Sequence, residues 1–407
     1  MKKIAIGILM LFLWANLSLA SGVFDLFIKK DNTQEMIREQ RRIERERARE
    51  ERRMREEQRN SYQANQTYTP QSKKELIALL RKPKIPLQNI DVSQIKDMSY
   101  LFDEDYGRSD LSGIEDWDVR AKKMSFMFSS SSIAKLPKWY IEFILKHPTY
   151  TPQSREELEQ ILRDGRVNLA EIDVAKIQDF SYLFKNSRRD LLGIEFWDMS
   201  GAESLEGMFE GFSGRGLEVI KAWNPRGVKN MKALFVGSNI EKYPLWYVEF
   251  AKKNPTFRPK TKDELAKILK QYQNELVGYG KVNGVAVRYM ALPLIEIDVS
   301  EIKDLSYVFC SSKRIEKCES RVEDFRGIEY WDVSGVENLE RVFMGSKINA
   351  DLSAWKVGKV KNFYEAFAET PFNQNISDWE VSKEANVERV FFDSELERED
   401  KIPAWAE

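Results

Sequence analysis

Few residues in this chain are placed to do chemistry. It has one histidine, His147, and two cysteines, Cys310 and Cys318. Nucleophilic catalysis of the Ser-His-Asp or Cys-His kind needs an imidazole beside the nucleophile. His147 precedes Pro148 at a junction between units and reads as a surface or capping residue. Two cysteines eight positions apart, with the histidine far away, do not make a metal site. In CSSKRIEKC they read as a small disulfide loop in an oxidising compartment, or as two free thiols. Acids are plentiful, so a two-carboxylate glycosidase passes on inventory, but nothing singles out a pair. No phosphate-binding glycine loop or metal motif is present in the sequence. Asp91, Asp118, Asp173, Asp198, Asp298 and Asp332 recur at one place in a repeated pattern. A calcium ladder needs oxygen ligands throughout, and Asn224 and Lys356 stand at that place in two copies. An Asp that caps the following turn explains the pattern better. The expectation is a protein without catalytic residues, cofactor or metal.

The recurring pattern is Trp-Asp-Val-Ser, about ten residues, then an apolar residue and Phe. Six copies begin at Trp117, Trp197, Trp223, Trp331, Trp355 and Trp379; three begin at Ile90, Ile172 and Ile297. Their closing residues are Phe102 and Phe128; Phe184, Phe209 and Phe235; Phe309, Phe343, Phe367 and Phe391. Within these groups the steps are 26; 25 and 26; and 34, 24 and 24 residues. A period of this size means repeats that bury their apolar faces against one another. The Trp row is either an exposed stripe for glycan or peptide, or a buried stack. Replacement of Trp by Ile in three copies fits burial.

Three larger units hold these copies: residues 69–148, 149–256 and 257–407, with two, three and four repeats. Each opens with a helix-start signal in which Ser72 with Glu75, Ser154 with Glu157, and Thr261 with Glu264 fit the capping box. Each closes on Pro-x-Trp, at Trp139, Trp246 and Trp405. IKDMSYLF, with Ile95, Met98, Leu101 and Phe102 apolar, suggests a short helical or 3₁₀ turn. GIEDWDV, GIEFWDM and GIEYWDV alternate as half-buried strands do. One short strand plus one turn or short helix per repeat is the leucine-rich-repeat economy. The fold class expected is an α+β repeat solenoid of three stacked units, preceded by a long charged helix. Gly278, Gly280 and Gly284, set among Val and Tyr in an insertion over 270–294, suggest a hairpin or projecting loop.

The first residues read as a signal peptide over 1–20. Lys2 and Lys3 precede an apolar run from Ile4 to Trp14, and Ser18-Leu19-Ala20 allows cleavage between Ala20 and Ser21. An uncleaved N-terminal anchor is the alternative. No other segment is long and apolar enough to span a membrane. Residues 21–68 form an arm and linker, with ten Arg and eight Glu between Asp31 and Asn60. Pairs such as Arg47 with Glu51 sit at helical spacing. The arm is either a partner-binding or self-associating segment over 31–60, or a charged spacer. Glu cancels its positive charge, and the whole chain carries a net charge of -1, so nucleic acid is not an expected partner.

WDVS with its apolar-Phe close, together with PFNQNISDWEVS from Pro371 to Ser382, resembles the BspA-type leucine-rich-repeat surface proteins, whose unit is also called the bacterial surface protein 26-residue repeat. The resemblance covers about residues 90 to 395. In the first two units GRSDLSGIEDW and SRRDLLGIEFW replace the Phe-Asn-Gln segment. The resemblance implies an exported or surface-exposed solenoid that binds other macromolecules, and no catalytic residues. The function expected is an adhesion-type contact with a protein or a surface glycan. The alternatives are a structural periplasmic or envelope protein engaged through the Arg/Glu arm and, less favoured, a glycan-active enzyme. The expected location is exported: periplasm, cell surface or secreted.

Overall fold

The computed structural model describes residues 42, 45–46, 49–54, 67–102, 110–129, 133, 135–272, 276–282, 285–290 and 292–407. The signal segment, the Ala20–Ser21 junction and most of the arm lie outside the described residues. Residues 49–54 are helical, and Arg42 pairs with Glu46 at 4.0 Å. A long charged helix over 31–60 is not shown.

Each copy places one residue on a ladder of parallel bridges, five positions before its closing Phe. The ladders run Asp97 to Lys123; Asp179 to Ser204 to Asn230; and Asp304 to Asn338 to Asn362 to Asn386. Three positions later the backbone turns left-handed. Tyr100, Phe126, Tyr182, Gly207, Ala233, Tyr307, Arg341, Glu365 and Arg389 all have φ between 50° and 65°. A left-handed conformation costs a non-glycine residue roughly 1–2 kcal/mol, yet eight of the nine positions lack glycine. The turn cuts the extended run short, so repeats pair through isolated bridges. IKDMSYLF is therefore a bridge and a tight turn, closed by Leu101 N–H to the Met98 carbonyl at 3.2 Å, rather than a helix.

The strands expected at GIEDWDV, GIEFWDM and GIEYWDV are instead 3₁₀ turns: Ile114–Asp116, Ile194–Phe196 and Ile328–Tyr330. Each follows a glycine with φ of 95° or 96°. A Cβ on Gly327 would lie 2.5 Å from the Ile295 nitrogen, so backbone approach as well as φ requires glycine there. The Glu of each turn accepts from that glycine's N–H, at 2.8 Å (Glu115), 2.9 Å (Glu195) and 2.8 Å (Glu329). The local side chain thus offers the backbone a turn in place of a ladder.

Aromatic columns fill the interior. All nine closing Phe are 0–4% exposed and the six repeat Trp are 4–6% exposed, so the Trp row is not a surface stripe. Phe184, Phe209 and Phe235 stack at 5.8 Å with planes within 6°. Each indole N–H donates to a carbonyl of the preceding copy: Trp197 to Leu169 at 2.8 Å, Trp355 to Ile328 at 3.0 Å, Trp379 to Leu352 at 3.0 Å. Burying an indole without such a partner would be costly.

Helices α1 (Lys73–Leu80), α3 (Arg155–Leu162) and α5 (Lys262–Tyr272) open the units; α2 (Lys138–Lys146) and α4 (Leu245–Lys253) close the first two; α6 (Glu395–Arg398) lies near the end of the third. Ser72, Ser154 and Thr261 accept from the N–H of Glu75, Glu157 and Glu264 at 3.3, 3.3 and 3.2 Å. The reciprocal half of the capping box differs. The carboxylates reach one residue further back, to the N–H of Gln71, Gln153 and Lys260, at 2.8, 2.7 and 2.8 Å. The insertion forms an antiparallel hairpin of β1 (Leu276–Val282) and β2 (Val285–Met290). It is docked rather than projecting: Val287 and Tyr289 are buried, and the Arg326 guanidinium lies 3.9 Å from the Tyr289 ring centre.

Candidate binding face and unit junctions

The left-handed row carries different residues in different copies, exposed at Tyr100 and Tyr182 and buried at Gly207 and Glu365. In the second and third units its first Tyr is held by a Glu of the next repeat. Tyr182 donates to Glu206 and Tyr307 to Glu340, both at 2.6 Å. That hydrogen bond, with some burial, pushes the Tyr182 hydroxyl up to about 12. In the first unit Ser125 stands where Glu206 and Glu340 stand. Tyr100 there is half exposed and stacks on Phe126 at 4.8 Å. The third unit turns the row into an ion-pair chain. Glu365 accepts from Arg341 at 2.8 Å and Arg389 at 2.9 Å. Burial alone would raise its carboxyl, but those two guanidinium groups hold it below the ordinary range.

Buried carboxylates join the units. Glu171 of the second unit accepts from Phe126 N–H at 2.9 Å, Tyr140 Oη at 2.7 Å and Thr149 Oγ1 at 2.5 Å. Glu296 of the third repeats the pattern with Ala233 N–H at 3.1 Å, Tyr247 Oη at 2.9 Å and Thr256 Oγ1 at 2.5 Å. Burial raises the carboxyl of Glu296 even against these hydrogen bonds. Burial, then the neighbouring Glu, pushes both tyrosine hydroxyls well above their ordinary value. At the second junction Arg326 reaches back to the Ser238 and Ile240 carbonyls at 2.7 and 2.8 Å while paired with Asp324. Asn89 occupies the corresponding position in the first unit.

The recurring aspartates sit in side-chain-closed turns. Asp91, Asp173, Asp198, Asp298 and Asp332 each accept from the N–H two residues on, at 2.9–3.0 Å; Asp118 holds the Arg120 side chain. Among the described residues no group of His, Cys, Asp and Glu could hold a metal ion. Cys310 and Cys318 are joined by a disulfide. His147 caps the end of α2 and is exposed. The capping residues stand at the starts of α1, α3 and α5, where all but the half-buried Ser154 are exposed. Reasoning from sequence missed Glu171, Glu296, Arg326 and the left-handed row. The available signal was a Glu in NLAEIDV and PLIEIDV where the first unit has PLQNIDV.

Glu329 gives this architecture an unusual pH response. Burial pushes its carboxyl up to about 7 from an ordinary 4.5. The folded state therefore binds more protons than the unfolded state between these values, and stability falls as pH rises through that window. The native protein should be more stable at pH 5.5 than at 7.5, by up to about 1.4 kcal/mol per pH unit. Glu329→Gln should flatten the slope. Denaturant midpoints at the two pH values check this; an unchanged slope in the variant contradicts it.

The backbone ladder, the aromatic columns and the junctions define a repeat protein of mixed helix and strand, built from three homologous units. The chain matches the model of the family described as "Mycoplasma protein of unknown function, DUF285" over residues 74–142, 157–249 and 287–405. The match takes in well over half of the chain, and the chain belongs to that family. Its three segments fall one in each unit. No curated protein and no solved structure matches the chain. No described helix is long and apolar enough to cross a membrane.

Proposed function

We propose that the chain is an exported, non-enzymatic repeat protein whose units form a leucine-rich-repeat-like solenoid for adhesion-type contact with proteins or glycans outside the cell. The observation that carries this reading is a variable row on a constant core. The Phe columns repeat in every copy, whereas the left-handed row carries Tyr, Phe, Gly, Ala, Arg and Glu in register. Repeat stacks of this kind recognise partners by varying surface positions on a fixed scaffold. The signal-like start and the BspA-type pattern of PFNQNISDWEVS support export and surface exposure.

A second reading, a structural envelope protein, is favoured by the ten Arg and eight Glu of the arm, which suit a partner-binding or self-associating segment. Fractionation with protease shaving of intact cells separates the two. Loss of the full-length chain on shaving is the expected result. Full protection, with release by osmotic shock, would replace the adhesion reading with the envelope one. Glycan turnover abolished by changing one carboxylate pair would overturn both.

A further inference from the structure

A second row of side chains runs from copy to copy, one position before each ladder residue. In the third unit it begins Lys303, Glu337, Lys361, and the acid pairs with both neighbours, at 3.7 and 2.7 Å. In the second it reads Gln178, Glu203, Lys229, with Glu203 and Lys229 paired at 3.0 Å. In the first it reads Lys96 and Lys122. Lys122 N–H donates to the Lys96 carbonyl at 2.9 Å, as Glu337 N–H donates to the Lys303 carbonyl at 2.7 Å. The two lysines therefore stand in the register that holds opposite charges in the third unit. Like charges directly opposite one another on paired strands are destabilising.

The same exchange occurs three positions on. Glu206 and Glu340 hold Tyr182 and Tyr307 of the copy before, both at 2.6 Å. The first unit has Ser125 there, and Tyr100 Oη has no hydrogen-bond partner among the described residues. The second and third units thus carry Glu-x-Leu-Glu, at 203–206 and 337–340, where the first carries Lys122-Lys123-Met124-Ser125. The first unit keeps Lys96 and Tyr100, the counterparts of Lys303 and Tyr307, and lacks both acids that serve them.

Lys96, Lys122 and Lys123 are exposed, and the Lys96 and Lys122 side chains have no partner among the described residues. The acids around them are committed. Asp97 accepts from Ser99 N–H at 2.9 Å and faces both Lys73 and Lys123. Asp91 accepts from Ser93 N–H, and Asp118 holds Arg120. Four positions beyond each lysine lie the stacked rings of Tyr100 and Phe126. They offer an apolar contact that a peptide side chain takes and a bare polyanion does not. We propose that this face of the first unit binds an extended acidic segment of a partner protein. Its carboxylates, three residues apart, serve the lysines and Tyr100 as Glu337 and Glu340 serve Lys303 and Tyr307.

This inference deepens the contact reading and rests on it, but the experiments fail separately: shaving reports location, whereas peptide binding is measured on the purified full chain. The probe is a labelled peptide repeating Glu-Ser-Leu, compared with its Gln-Ser-Leu counterpart and with polyglucuronate by fluorescence anisotropy. The acidic peptide should bind saturably, the glutamine peptide about ten-fold more weakly or not at all, and added salt should weaken binding. Lys122→Glu places an acid opposite Lys96, as in the third unit. It should weaken the acidic peptide about ten-fold, because like charges brought together across an interface repel, while leaving the thermal midpoint unchanged or higher. Lys96→Gln should weaken it by a smaller factor. Lys359→Glu, an equal change of charge at an exposed position of the third unit, should leave binding as it was. No saturable binding, equal binding of both peptides, tighter binding of polyglucuronate, an equal loss in Lys359→Glu, or full binding by Lys122→Glu overturns the site.

Discussion

Replacing Glu171 with Ala is expected to destabilise the protein by about 3–5 kcal/mol, summed over three donors that lose their acceptor. The carboxylate is fully buried and serves three donors from the end of the first unit and the start of the second. Its removal leaves the buried Tyr140 hydroxyl and the half-buried Thr149 hydroxyl and Phe126 N–H without that acceptor, and an unsatisfied buried group costs roughly 1–3 kcal/mol. Glu171→Gln keeps one acceptor oxygen and should cost about half as much. Because the lost bonds join the first two units, the first unit should also exchange its amide hydrogens sooner than the third. Denaturant unfolding followed by hydrogen exchange reads both effects. A loss below about 1 kcal/mol would mean that the junction is held by apolar packing alone.

Trp355→Ala is expected to be comparably severe, about 3–5 kcal/mol. Trp355 lies between Phe343 at 6.0 Å and Trp379 at 6.4 Å, the two indoles within 4° of parallel, and donates to the Ile328 carbonyl. The change opens a cavity in the middle of a column and strips a buried carbonyl of its donor. Trp355→Phe refills most of the space and loses only the hydrogen bond, which is worth about 1 kcal/mol. The difference between the two variants separates packing from polar satisfaction. Equal losses would show that the indole N–H, rather than the ring, holds the copies in register.

How much of this was legible in the sequence follows from which forces act locally. The repeat boundaries, the closing Phe and the helix starts at Ser72, Ser154 and Thr261 were readable, because periodic apolar residues and capping hydroxyls act within a few positions. The short elements of each copy were misread. Alternation in GIEYWDV looks like a strand, but Gly327 in the left-handed region and the Glu329 carboxylate on its N–H make it a 3₁₀ turn. The left-handed residues were invisible because tertiary stacking, not residue type, imposes their conformation: Tyr, Arg and Glu would not choose it alone. Glu171 and Glu296 were passed over because acids at half-buried positions are ordinary. Their importance lies in donors 22–63 residues away in sequence. The cysteines were readable as a pair. That the loop they close lines a pocket with α5 was not, because its other wall is set by the fold.

The measurement that bears most directly on the central claim is a binding screen of the purified full chain against panels of extracellular proteins and glycans. A variable row on a constant aromatic core predicts saturable binding to at least one class, competed by the same ligand in solution and weakened by substitutions on the left-handed row such as Tyr100→Ala. No saturable binding on either panel, by a chain with an intact unfolding transition, would contradict the contact function and leave the stack as a structural element.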